Sequence, residues 1–220
     1  LGALLLAVTE GNAWGWTSMP ILGLLALAAG AGLALAAHER RAASPMLDPA
    51  LLRRRVFLGA NLASFANYTG QMCASFLFPV FLQTGLGFSA AHAGLIYAVI
   101  PAAIVFIAPA SGALSDRFGT RRLSVAGLCI ALAGMGGATA AVWAASTMPL
   151  SRGEVLAWAL PAFFLAGVGV AVFQSPNNSA AMSAVPRESL GVGGGLLAAV
   201  LNIGMACGMA IAGAVVGGHS

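Results

Sequence analysis

The chain has 220 residues, of which 60% are hydrophobic and only 7% are charged. A soluble domain carries about 25% charged residues, so this composition excludes a soluble globular domain and indicates an integral membrane protein. The net charge of +4 comes from ten basic and six acidic residues. All the basic residues are arginines, and they cluster beside apolar runs, which is typical of a membrane surface and not of a nucleic-acid site.

Long unbroken apolar runs predict transmembrane helices. A helix needs about 20 residues to cross the hydrocarbon core, whereas a membrane barrel would show alternating segments of about 10 residues. We therefore expect an all-α integral membrane protein, a polytopic bundle with about six full helices and one partial helix at residues 1–9. The full spans are predicted, in chain order, at 20–37, 56–82, 93–113, 123–145, 155–173 and 190–216. For residues 174–188, a loop and a short helix before the last span both stay open.

The arginines lie almost entirely on one side of these spans. The predicted loops at 38–55, 114–122 and 174–189 hold five, three and one arginine, whereas the loops on the opposite side hold one in all. Cytoplasmic loops carry the excess of Lys and Arg. We therefore predict a multi-pass protein of the plasma membrane in which the loops at 38–55, 114–122 and 174–189 are cytoplasmic.

Both ends of the sequence favour a fragment of a longer protein. The chain begins at Leu1, without an initiator methionine or the charged n-region of a signal peptide. An apolar run also continues to within a few residues of Ser220. We expect truncation at the start and the same at the end.

The segment 112–122, Gly-Ala-Leu-Ser-Asp-Arg-Phe-Gly-Thr-Arg-Arg, concentrates charge between two apolar runs. Its glycines allow tight turning of the backbone. Asp116 precedes the next predicted helix closely enough to interact with its N-terminal amides. From the charge alone, a short cytoplasmic loop is the simpler interpretation.

The order of residues in this segment closely resembles the signature loop of the major facilitator superfamily, Gly-x-Leu-Ala/Ser-Asp-Arg/Lys-x-Gly-Arg/Lys-Arg/Lys. Thr120 stands in the first of the usual basic positions. In that family the loop joins the second and third helices of each six-helix half and forms a cytoplasmic latch that breaks and remakes during alternating access. The resemblance implies a conformational latch made by Gly112, Asp116, Arg117, Gly119, Arg121 and Arg122.

Residues 9–16, 46–53 and 79–83 are similar to the fourteen-helix drug:proton antiporter branch of this family, in which two extra helices link the two halves. The resemblance implies that residues 1–55 form the central linker helices and a basic cytoplasmic loop. It also implies that residues 56–220 form a C-terminal half-bundle without its last helix. The missing N-terminal half of the same transporter would then be a partner of this chain.

Polar residues recur in the span 56–82 at spacings of three and four, which places them on one helix face. Such groups avoid lipid, so the face contacts other helices through hydrogen bonds or lines a water-filled cavity. The resemblance favours the cavity, because the first helix of each half lines the transport path in this family. The cavity candidates are Asn61, Ser64, Tyr68, Gln71 and Ser75, with Asn202 from the last span as a further one.

Small residues in the last predicted span recur four residues apart, a spacing that lets helix backbones approach closely. We expect a helix-packing role for Gly191, Gly195, Gly204 and Gly208.

The sequence gives no sign of enzyme chemistry. It contains no phosphate-binding glycine loop, nucleophile elbow or zinc signature, and its spans offer no converging titratable groups. We therefore predict neither catalytic residues, nor a metal site, nor a cofactor. No acid lies at mid-membrane either, so a proton-coupling carboxylate is not expected in this part of the protein.

The favoured function is a secondary active transporter that exports drug-like or amphipathic small molecules in exchange for protons by alternating access. Its partners would be the lipid bilayer, the small-molecule substrate and protons. Two alternatives stay open: a facilitator that imports a metabolite and a non-transporting membrane assembly subunit. A membrane-embedded enzyme would require converging titratable groups, which these spans do not offer.

Overall fold

In the computed structural model of this protein, nearly all described residues are helical. The structure describes residues 18–39, 54–148 and 151–217, together with the single positions 3, 6, 7, 11 and 15. In these ranges the helices are α1 (Met19–Glu39), α2 (Arg55–Thr84), α3 (Ala90–Tyr97), α4 (Val99–Phe118), α5 (Thr120–Thr147), α6 (Arg152–Ser183) and α7 (Leu190–Gly217), with a 3₁₀ turn at Arg187–Ser189.

The helices confirm the all-α membrane architecture. Helix α1 is apolar over Met19–Ala34. Helix α2 has 30 residues, which is ample length for a span, but its polar face lowers its hydropathy. Within the described part of the chain, four segments are long and apolar enough to cross a membrane: Ala90–Phe118, Thr120–Thr147, Arg152–Ser183 and Arg187–Gly217.

Two sequence expectations fall largely outside the described residues. Only three positions of the predicted partial helix 1–9 are described, and most of the basic loop 38–55 is not. The predicted boundary between residues 55 and 56 therefore stays a prediction.

One predicted boundary is wrong. The span expected to end at residue 173 continues without a break as helix α6 to Ser183. Of the two possibilities left open for residues 174–188, a loop or a short helix, the structure shows helix up to Ser183. Pro176 lies inside this helix and is buried, as is Asn177 beside it. The helix continues through Pro176 although proline removes one backbone hydrogen bond. The helix ends shortly before Pro186, which disfavours helical conformation in the residue preceding it.

The start of α6 carries a signal that the sequence analysis missed. Ser151 and Glu154 form a capping box: the Ser151 N–H donates to the Glu154 carboxylate over 2.8 Å, and the Glu154 N–H donates to the Ser151 hydroxyl over 3.3 Å. The Ser-x-x-Glu spacing is the sequence signature of this motif. Glu154 was expected in a loop and instead begins the helix.

The chain divides into two compact units, one formed by Leu1–Phe76 with Ala184–Ser220 and the other by Leu77–Ser183. The core of the second unit centres on Phe163, which is 1% exposed. Its ring contacts Phe78 edge to face, with centroids 5.0 Å apart, and Tyr97 in the same manner at 5.8 Å. Such pairs add about 0.5–1.5 kcal/mol each beyond their buried area.

In the second unit, α5 and α6 pack with their backbones in direct contact. As the residue number rises along one helix it falls equally along the other, so the two helices are antiparallel. A Cβ added at Gly134 would lie 2.7 Å from the Ala166 Cα, so only glycine fits there. The closest backbone contacts pair Gly127 with Phe173, Ala131 with Gly169, and Gly134 with Ala166.

We predict that Gly134→Ala destabilises the protein by about 1–3 kcal/mol, because the methyl group would meet backbone atoms that cannot move aside. The matched control is Gly136→Ala on the same helix, where no described atom lies within 4 Å of an added Cβ. The control should be neutral or slightly stabilising, since alanine favours a helix. Thermal unfolding of the detergent-solubilised protein measures both, and equal effects would contradict the packing.

Candidate functional site

In the first unit, α2 and α7 run parallel with their backbones in contact. A Cβ added at Gly204 would lie 3.0 Å from the Phe65 carbonyl oxygen, and one added at Gly208 would overlap the Thr69 carbonyl oxygen. From the first contact to the second, both helices advance by four residues in the same direction. The two glycines thus allow α7 to lie directly against α2.

The other two glycines of the predicted packing set lie elsewhere on α7. No described atom lies within 4 Å of a Cβ added at Gly191 or Gly195. Gly193 is buried instead, with its added Cβ only 2.7 Å from a methyl carbon of Val185. Gly193 precedes Gly204 by eleven residues, about three helical turns, so the two share a face. Gly191 and Gly195, which the four-residue spacing had suggested, lie on a different side of α7 from Gly193 and Gly204.

The five polar residues of α2 lie along the same helix and differ in burial. Asn61 is 7% exposed and Ser64 is 2% exposed, whereas Tyr68, Gln71 and Ser75 are half-buried. Two of these side chains bond to their own helix. The Asn61 Nδ2 donates to the Phe57 carbonyl over 2.8 Å, and the Ser75 hydroxyl donates to the Met72 carbonyl over 2.8 Å.

Helix α2 also carries buried polar atoms without hydrogen-bond partners. Among the described residues these are the Asn61 Oδ1, the Asn67 Oδ1, the Thr69 Oγ1 and the Gln71 Nε2, and they fall within three helical turns. A buried group left in this state costs roughly 1–3 kcal/mol. Because both acceptors and a donor are present, this stretch of α2 has the capacity to hydrogen-bond a molecule that carries both kinds of group.

Asn202 lies apart from this polar face. It is exposed, and its Nδ2 donates to the Ala198 carbonyl of its own helix over 2.7 Å. It comes two residues before Gly204, which turns it well away from the side of α7 that contacts α2. The structure therefore does not bring Asn202 together with the five polar residues of α2.

The charged segment 112–122 is not the open loop expected from the sequence. Only Gly119 lies outside a helix, between the end of α4 and the start of α5. Its φ of 83° and ψ of 141° lie in a region that is essentially restricted to glycine. One residue therefore makes the whole connection.

The last two turns of α4, which lead into this segment, have an inward face that packs on α6. Ser111 is 1% exposed and its hydroxyl donates to the Val172 carbonyl over 3.3 Å. Ser115, one turn later, is also buried. A Cβ added at Gly112 would lie 3.5 Å from the Ser175 hydroxyl, an ordinary contact distance. The sequence analysis missed both serines, although their spacing of four marks one helix face.

The charged side chains of the segment, Asp116, Arg117, Arg121 and Arg122, are all exposed. The predicted interaction of Asp116 with the N-terminal amides of α5 is not seen. Asp116 lies in the last turn of α4, and the N-cap position of α5 is occupied by Gly119, so no side chain caps that helix. Helix α4 continues past Asp116 to Phe118, and both Ser111 and Ser115 on its inward face are buried. In the described part of the chain, Asp116 has no ion pair or side-chain hydrogen bond.

Metal-binding chemistry finds no support in the described residues, where no three His, Cys, Asp or Glu side chains cluster. The three cysteines are free thiols on three different helices.

Sequence comparisons place the chain among known transporters. The model of the Major Facilitator Superfamily matches residues 60–220. The Riboflavin transporter RibZ of Clostridioides difficile is 33% identical over 81% of this chain and 37% of RibZ. The Multidrug resistance protein Stp of Mycobacterium tuberculosis is 32% identical over 98% of this chain and 38% of Stp. The Quinolone resistance protein NorB of Staphylococcus aureus is 24% identical over 94% of this chain and 43% of NorB. The chain spans less than half the length of these relatives.

Proposed function

The chain belongs to the major facilitator superfamily, and from this premise we propose that it is part of a secondary active transporter that exports drug-like or amphipathic molecules in exchange for protons. The family consists of transporters and not of enzymes. Two relatives, Stp and NorB, are named for resistance to drugs. Their names agree with the resemblance to the drug:proton antiporter branch.

The observation that carries the proposal is the unsatisfied polar face of α2. A polar face that served only to join helices would have its donors and acceptors paired across the contact. On this face the Asn61 Oδ1 and the Gln71 Nε2 are instead buried without partners among the described residues, and the Asn67 Oδ1 lies beside the face in the same state. Retaining them costs stability, which is expected where the groups bind a ligand during part of a transport cycle.

The chemistry of this face suits a weakly polar substrate. Its groups are neutral amides and hydroxyls, and they are interrupted by apolar side chains such as Phe65 and Met72. Described helices carry no acid at mid-span, so we assign proton coupling to a carboxylate elsewhere in the full-length protein. Amides and hydroxyls would then select the substrate by hydrogen bonds without a fixed charge.

Asp116 fits a role in conformational change better than a role in stability. An acid in the last turn of a helix opposes the helix dipole, at a cost of about 0.3–1 kcal/mol. The structure gives Asp116 no compensating partner in the described residues. We therefore assign it, with Arg117, Arg121 and Arg122, to a latch that closes in another state of the transport cycle.

A metabolite transporter is the second candidate, because RibZ is named as a riboflavin transporter. The direct test uses everted vesicles that contain the full-length protein, with a lipophilic dye and riboflavin as probes. We expect dye accumulation that depends on an imposed pH gradient and disappears when the gradient is collapsed. Riboflavin transport without dye transport would favour the metabolite alternative, and transport independent of the gradient would contradict proton coupling.

Replacing Gln71 with methionine tests the polar face of α2. We expect Gln71→Met to leave stability unchanged or to raise it, because a buried donor without a partner costs roughly 1–3 kcal/mol. Dye transport should fall, because the substrate loses a hydrogen-bonding group. Gln83→Met, at the end of the same helix, is the control, since the Gln83 amide already donates to the Pro79 carbonyl. If Gln71→Met transported normally, Gln71 would not line the substrate path.

Asp116→Asn tests the latch. We expect unchanged or slightly higher thermal stability and a fall in transport of about tenfold, which corresponds to a loss of about 1.4 kcal/mol. The control is Glu188→Gln, which removes an equally exposed acid outside the segment. Normal efflux kinetics in Asp116→Asn, at equal expression in the membrane, would rule out the latch role.

A further inference from the structure

A groove of about 340 Å³ lies between the first half of α2 and α7, within a single compact unit. It lies toward the N-terminal ends of both helices, before the close contact at Gly204. Its walls are hydrocarbon and aromatic side chains, including Leu58, Leu62 and Phe65 on α2 and Leu196, Val200 and Ile203 on α7.

The groove offers almost nothing for a polar ligand to bind. Asn61 is the one polar residue in its lining. The Asn61 Nδ2 donates to the Phe57 carbonyl, and its Oδ1 is buried. The groove opens beside two leucines that are substantially exposed, Leu58 at 42% and Leu62 at 60%. Its lining therefore matches a hydrocarbon chain, and its open side is suited to contact with lipid.

Positive charge lies at the end of the groove. Arg54 and Arg55 are both exposed at the start of α2. The Arg54 Nη1 donates to the Ala184 carbonyl over 2.8 Å, which fixes that guanidinium. Among the described residues, Arg55 makes no hydrogen bond or ion pair, and its exposed guanidinium can bind an anion.

Arg55 also lies on the correct side of α2. Leu58 and Leu62 follow it by three and seven residues, so all three share one helix face. Leu58 is only about 4.5 Å further along the helix axis. The same end carries Arg187 and Glu188 in the 3₁₀ turn before α7, whose charges offset each other. The mouth of the groove is therefore net positive.

We propose that this groove and Arg55 form a binding site for an anionic phospholipid. One acyl chain lies in the groove between α2 and α7, and the Arg55 guanidinium binds the phosphate through charge-assisted hydrogen bonds. The arginine pattern predicts that this end is cytoplasmic, where the leaflet is rich in anionic lipid. A phospholipid satisfies the apolar groove and the free cation at once. The site shares Asn61 with the polar face of α2 that the transport proposal uses, and its other lining residues are apolar.

Native mass spectrometry of the full-length protein tests the site, with phosphatidylglycerol and phosphatidylcholine as probes. We expect retained phosphatidylglycerol and little phosphatidylcholine. Arg55→Gln should weaken phosphatidylglycerol binding by about tenfold, the effect of losing a hydrogen bond to a charged group. Arg187→Gln is the matched control, because it removes the same charge at the same end. Equal losses in the two variants would show a general attraction to the membrane surface and overturn the site.

The groove itself is tested by filling it and by making it polar. Val200→Phe should occupy the groove and lower phosphatidylglycerol binding, whereas Val216→Phe, on an exposed part of α7, should not. Leu58→Gln provides a second test that adds no bulk and should also lower binding. Unchanged binding in Val200→Phe and Leu58→Gln would overturn the acyl-chain site, as expected if another helix of the full-length protein covers the groove. Because the readout is lipid binding, the result does not depend on whether the protein transports drugs.

Discussion

Close approach of helix backbones is the interaction on which the rest of this structure depends. In hydrocarbon, lipid tails compete equally for apolar side chains, so helices associate through van der Waals packing at small residues. The antiparallel contact of α5 with α6 at Gly134 and the parallel contact of α2 with α7 at Gly208 both use this device. Each places backbone against backbone, so each helix pair has one permitted separation and one register.

Helix α2 combines these close backbone contacts with buried polar groups that lack hydrogen-bond partners in the described residues. In α2, the side that meets Gly204 and Gly208 of α7 is tightly packed, while Asn67 and Gln71 carry buried atoms without partners in the described residues. Stability and hydrogen-bonding capacity are thus divided between different parts of one helix. The close contact at Gly204 and Gly208 compensates for polar groups that do not stabilise the fold.

The sequence predicted what depends on hydrophobicity and missed what depends on three-dimensional packing. Helices α2 and α7 begin and end within two residues of the expected positions, because arginines mark their starts and glycine-containing segments follow their apolar runs. The extension of α6 to Ser183 was left undecided, because Pro176 and its polar neighbours resemble a loop until their burial is known. The packing role of Gly193 was missed, because the face of a glycine-rich helix that packs depends on a partner that the sequence does not identify. The polar spacing on α2 could be read directly, but the lack of partners for Asn67 and Gln71 could not.

The single-residue connection at Gly119 has a mechanical consequence. A flexible loop between α4 and α5 would absorb a displacement of one helix without moving the other. Here the two helices are joined through one pair of torsion angles, and α6 contacts both of them, through Ser111 on α4 and Gly134 on α5. We therefore expect that a displacement of the exposed arginines at this junction moves α4 and α5 together and reaches the opposite ends of both helices.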